Sequence, residues 1–225
     1  FKKNSFLVVD NFLDKKTVDF FLDSLQKFDN KDFIDSSDLA TSNNIFYDRT
    51  VKNLDINYNF PEKVLSEYNH VRNCHDLINN APVDLFATVI NKSEYLLNSR
   101  VSIEVSEIYE TLSNGDKTKT NSVWHHDGDI YKSFKVLIYL NDVGANDGAL
   151  KIKSKINHQE IEFIGTAGTA IFFKNSELEH LGSLPENKSR WCLNFKVYPK
   201  IISSKVIKGG KPFNYFRRRN LFRNV

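Results

Sequence analysis

The chain has 225 residues, a net charge of +3 and 40% hydrophobic residues, which is a length for one domain able to bury a core without metal or disulfide staples. So small a charge gives no electrostatic case for nucleic acid, and no run approaches the ~18–20 apolar residues of a membrane span. Cys74 and Cys192 stand far apart outside any Cys-x-x-Cys spacing, which gives no sign of a disulfide framework and suits a reducing, cytoplasmic setting. The first residues show no signal-peptide pattern, although a start at Phe1 leaves room for residues upstream. Eighteen Phe and nine Tyr supply the core and argue against disorder across the whole chain.

A single unit is expected, with a mainly helical part over 1–100, a β-rich part over 101–198 and a basic extension over 199–225. An apolar strand at Phe6–Val9 comes first. Asp14 then caps a helix in which Val18, Phe21, Leu22, Leu25 and Phe28 recur at helical spacing. Asn, Asp and Ser dominate Asp29–Asn44 and predict a loop. Pro61 suits a first helical turn, with Val64, Leu65, Tyr68, Val71 and His75 on one face behind it. A third helix is expected from about Pro82 to Leu97.

The period changes at Val101, where Val101, Ile103 and Val105 alternate with Ser102, Glu104 and Ser106 as in a half-buried strand. Strands follow at Phe134–Leu140, Ala149–Lys153, Ile161–Ile164, Thr169–Phe173, near His180 and at Arg190–Tyr198, with Val123 leading into His125. About eight short antiparallel strands predict a double-sheet jelly roll (a double-stranded β-helix), mainly β with flanking α, the helices covering one sheet. Arg217, Arg218, Arg219 and Arg223 crowd the end of the chain. They read as a solvated tail, or as a feature for an anionic partner or substrate.

Among six histidines, the informative ones lie in Trp124-His125-His126-Asp127-Gly128-Asp129. Side chains two apart on a strand share a face, so His125 and Asp127 can meet one ion while His126 points away. His180, 55 residues on (180 − 125), can supply a third ligand. Two His and one carboxylate on one side of an octahedron leave positions open, as in non-haem iron(II) oxygenases. An isolated His-x-Asp pair has a blander reading as a solvated turn. Arg190, at the start of the last strand, adds weight, because a guanidinium facing into a barrel is costly unless an anion meets it. Considered alone, it reads better as a rim arginine paired with Asp or Glu. His158-x-Glu160 reads as surface chemistry, and His75-Asp76 as helical neighbours that diverge. Trp124 and Trp191 read as packing residues.

Trp124-His-His-Asp127, Tyr139-Leu-Asn-Asp142, Gly148-Ala-Leu150, Gly168-Thr-Ala-Ile-Phe-Phe173 and His180-x-Gly…Pro185-x-Asn-x-Ser-Arg190 occur in that order. Together they resemble the iron(II)/2-oxoglutarate-dependent dioxygenase superfamily, especially its phytanoyl-CoA dioxygenase-like branch, over Val101–Tyr198. The prolyl-4-hydroxylase-like branch, which usually has lysine where Arg190 stands, comes second. The resemblance implies Fe(II) on His125, Asp127 and His180, with 2-oxoglutarate as co-substrate held through its far carboxylate by Arg190, and O2 as oxidant.

Many relatives have serine two residues after that arginine, where this chain has Cys192, a weak donor. Lys135 is expected to point into the barrel towards the co-substrate or an acidic substrate, with surface exposure as the alternative. His126, Asp129 and Tyr131 are candidate substrate residues. The activity implied is hydroxylation of an aliphatic C–H of a small molecule, an anionic one among the options, with release of succinate and CO2. The carboxylate of Asp127 argues against halogenation, since related halogenases lack it. The alternatives are hydroxylation of a protein or peptide side chain, which the short 150–165 stretch would accommodate, and a non-catalytic jelly-roll binding module.

Overall fold

The computed structural model describes residues 1, 3–28, 33–34, 45–46, 54–55, 68–71, 74–113, 123–127 and 133–199. Strand β1 (Phe6–Val9) leads into helix α1 (Lys15–Leu25), and short strands follow at β2 (Phe33–Ile34), β3 (Ile45–Phe46) and β4 (Leu54–Asp55). Next come β5 (Tyr68–Val71), α2 (Cys74–Asn79), α3 (Leu85–Leu97) and the long β6 (Val101–Thr111). The remainder is β: β7 (Phe134–Tyr139), β8 (Leu150–Lys153), β9 (Glu160–Phe163), β10 (Ala170–Phe173), β11 (His180–Gly182) and β12 (Arg190–Pro199). As expected, Asp14 caps α1, its carboxylate accepting from the Thr17 amide at 2.8 Å, and Asp84 does the same for α3 at Ala87.

The strands form a seven-stranded sheet in the order β1-β10-β7-β12-β6-β5-β2 and a three-stranded sheet β11-β8-β9. His125 bridges antiparallel to His180, adding a short rung beside β11. This is the double-sheet jelly roll, with helices on one face of the larger sheet.

Period-two alternation explains the arrangement. On β7, Phe134, Val136 and Ile138 face a core shared with Phe21 of α1 and with Phe86, Val89 and Ile90 of α3. Leu137 and Tyr139 face the opposite way, into a second core with Leu150, Ile152 and Phe163 of the smaller sheet. β10 divides likewise, Ala170 and Phe172 towards the helices, Ile171 and Phe173 between the sheets. On β12, Leu193, Phe195 and Val197 pack under the helices, and Cys192 lies between the sheets. Edge-on ring pairs, Phe86–Phe195 at 6.0 Å and Phe12–Phe172 at 5.5 Å, fix the helix side. Trp191 packs against this same core, as its sequence reading as a packing residue expects.

Gly168 enters β10 at φ +88, and a Cβ there would stand 2.4 Å from the Leu13 carbonyl oxygen. No other residue permits the Leu13 amide to reach the Gly168 carbonyl at 3.1 Å so closely.

One expectation is corrected. Tyr68 and Val71, read as one face of a helix, belong to β5, which pairs antiparallel with β6 (Tyr68↔Thr111, His70↔Tyr109). An available sheet edge outweighs a 3–4 spacing in a stretch whose Tyr, Asn, His and Val are mediocre helix formers. The first hundred residues therefore hold strands β1–β5 as well as helices. Pro61, Val64, Leu65 and the basic residues Arg217, Arg218, Arg219 and Arg223 lie outside the described residues. Among the described residues, no helix is long and apolar enough to cross a membrane.

Candidate metal centre

His125 and His180 are brought together by backbone pairing. Each amide donates to the other's carbonyl, at 3.0 and 2.9 Å, and the ring centroids stand 4.4 Å apart. Each imidazole turns its Nδ1 to a carbonyl two residues earlier, His125 to Val123 at 2.8 Å and His180 to Leu178 at 2.9 Å. A carbonyl only accepts, so Nδ1 carries the proton and, in the neutral ring, Nε2 is left with a lone pair.

Asp127 is held from two sides. Its amide donates to the Asn175 carbonyl at 3.2 Å, and the Asn175 amide group donates to Oδ2 at 2.7 Å. The Lys135 ammonium stands 2.6 Å from the same oxygen. Oδ1 is left facing the Nε2 atoms of His125 and His180, at 3.5 and 3.8 Å. The three prospective ligand atoms lie within 4.8 Å of one another.

The electrostatics suit a cation. Burial alone would raise the Asp127 pKa, but the Lys135 ammonium beside it holds it well below the usual carboxylate range. Burial, followed by the nearby Lys135 charge, pushes His180 down to about 4 despite the attraction of Asp127. An ionised carboxylate and a neutral imidazole are the forms a metal takes. Two imidazole nitrogens and one carboxylate oxygen, with the second oxygen already occupied, fit a divalent transition metal with open positions.

Arg190 is 2% exposed and reaches into the space between the sheets. Its Nη1 donates to the Gly148 carbonyl and its Nη2 to Thr111 Oγ1 at 3.0 Å. Asn141 fixes the backbone on either side of it, donating to the Ser189 carbonyl at 3.1 Å and accepting from the Trp191 amide at 2.7 Å. Gly148 adopts φ +79, and a Cβ there would meet the Ser183 carbonyl oxygen at 2.7 Å. The Asn of the Tyr-Leu-Asn motif and the glycine after Asp147 thus shape the arginine's surroundings.

Cys192 lies on the same face, fully buried, its thiol pushed up to about 11 by burial against the opposing effect of Arg190. It stays a protonated, weak donor. Lys135 does point inward, and its ammonium meets the carboxylate of Asp127. His126 is exposed and outside the cluster. His158 is also exposed, at a turn with φ 56. Asp129 and Tyr131 lie outside the described residues. Sequence reasoning missed Asn175, Thr111 and Asn141; for Asn141 the signal was the motif itself.

No protein-family model matches the sequence, and neither does any curated protein sequence. Solved structures do match. The non-haem, α-ketoglutarate-dependent epimerase SnoN from nogalamycin biosynthesis aligns at 14% identity over 88% of this chain and 79% of its own, TM-score 0.59. HygX from Streptomyces hygroscopicus, with nickel and 2-oxoglutarate bound, aligns at 13% identity over 90% and 86%, TM-score 0.54. A Pseudomonas putida prolyl-4-hydroxylase aligns at 13% identity over 89% and 95%, TM-score 0.52. The chain therefore has the double-stranded β-helix fold that these 2-oxoglutarate and prolyl-hydroxylase structures share, with a His-Asp-His cluster between its sheets.

Proposed function

We propose that the protein is an iron(II)/2-oxoglutarate-dependent dioxygenase that hydroxylates an aliphatic C–H of a small molecule. The balance is R–H + O2 + 2-oxoglutarate → R–OH + succinate + CO2. The observation that carries this reading is the pairing of the His125–Asp127–His180 cluster with a buried arginine in the same interior.

His125 Nε2, His180 Nε2 and Asp127 Oδ1 would hold the metal, and Asn175 and Lys135 keep Asp127 from closing a further position with Oδ2. The chemistry the metal would supply is activation of dioxygen coupled to decarboxylation of 2-oxoglutarate. Arg190 offers two donor nitrogens on a planar fork, a match for the co-substrate's far carboxylate. Leu137, Ile152 and Phe173 give the interior apolar walls, which exclude water and strengthen those charge contacts. The fold also carries an epimerase in SnoN, so a test should read the product as well as succinate.

Anaerobic Fe(II) and 2-oxoglutarate titration should give a metal-to-ligand charge-transfer band. Asp127→Ala should abolish the band and substrate-dependent succinate formation. Arg190→Ala should weaken 2-oxoglutarate roughly 30-fold or more, as expected for truncating one partner of a buried charge pair, while metal affinity stays within about threefold. Turnover retained in Asp127→Ala would sink the assignment.

A further inference from the structure

On the floor of the same chamber, β6, β12 and β7 run side by side, and their register sets Asn194 opposite both Glu107 and Leu137. Leu193 and Phe195 point into the helix-side core, so Asn194 points between the sheets, on the face that also bears Arg190 and Cys192. Lys135 pairs with Lys196, which makes it the diagonal neighbour of Asn194. Such neighbours stand roughly 7–8 Å apart, so Asn194 lies close to the lysine that holds Asp127.

Asn194 is 8% exposed, and its Nδ2 donates to Glu107 Oε2 at 2.9 Å. An ionised carboxylate only accepts, so the amide nitrogen must face Glu107 and the carbonyl must face away. That carbonyl oxygen is buried and has no partner among the described residues. A buried acceptor in this state calls for a donor. The second oxygen of Glu107 is a further acceptor beside it. Two acceptors disfavour an anion; Lys135 is already paired with Asp127, and the Lys196 charge on the same face offsets that of Glu107, so the site does not call for a cation.

We infer that Asn194 and Glu107 form the substrate-recognition end of the chamber and accept hydrogen bonds from a neutral hydroxyl group on the substrate. This reading rests on the oxygenase assignment above. The two can fail separately.

Cyclohexanol, cyclohexylammonium and cyclohexanecarboxylate are matched probes differing only in the polar group. Proton relaxation of each would be measured on the full chain loaded with Mn(II) and 2-oxoglutarate, with the Zn(II) form as diamagnetic reference. The alcohol should show the tightest saturable binding next to the metal, and its affinity should fall about tenfold in Asn194→Leu and in Glu107→Gln, as for a lost hydrogen bond. Glu107→Gln keeps the shape and still accepts from Asn194, so it carries the test if Asn194→Leu does not fold. Equal or tighter binding of the charged probes, or unchanged alcohol affinity in the folded variants, would overturn the inference. Failure of Mn(II) or 2-oxoglutarate to bind the wild-type chain would overturn the oxygenase reading, and this one with it.

Discussion

Asn175 holds Oδ2 of Asp127 from its side chain and the Asp127 amide from its carbonyl, which leaves Oδ1 for the proposed metal. Partners of this kind typically contribute 10–100-fold to metal affinity. Asn175→Ala is therefore expected to weaken Co(II) binding by roughly tenfold or more with the far-UV circular dichroism unchanged. A Co(II) titration that matched wild type would show that Lys135 alone positions the carboxylate. His125 and Asp127 were legible in the sequence because two-residue spacing on a strand is a geometric statement. Arg190 was legible because a charge in an alternating apolar strand demands a reason. Asn175 was not, since it stands in the connection between β10 and β11, where no periodicity marks which side chain turns inward. Lys135 was half legible: its inward direction follows from β7, but its partner depends on where the 123–127 segment lies.

At the scale of elements, the strands of the β-rich half announced themselves by composition and period, because each has one face under helices and one face between sheets. β5 did not. Its pairing with β6 is a long-range contact that no local pattern encodes, and a spacing compatible with a helix concealed it. The turns that position the strands are less forgiving than the strands. Gly168→Ala should destabilise the fold by roughly 1–3 kcal/mol or more, since it adds a strained φ to a Cβ clash, and urea unfolding would register it. A midpoint equal to wild type would mean that the Leu13–Gly168 approach is readily relaxed.

For the molecule as a whole, the proposed ligand set draws on the 123–127 segment and β11, and its supports on β7, β12 and the connection before β11. Binding that requires all of these at once favours the folded state over the unfolded chain. Mn(II) at about a hundred times its dissociation constant should add about 2.7 kcal/mol, a rise in melting temperature of roughly 5–10 °C for a domain this size. Asp127→Ala should show no such rise in the same thermal scan. The large sheet that supports the site also restricts how the sequence can change. Each of β7, β10 and β12 writes two messages on alternate residues, one for the helix layer and one for the chamber. Substitutions alter one letter of one message. A single inserted or deleted residue within β7 or β12 exchanges the two messages beyond it, turning a lysine or an asparagine under the helices and phenylalanines into the chamber. The fold can thus explore new chemistry by point replacement along these strands, whereas changes of length are confined to the loops that join them.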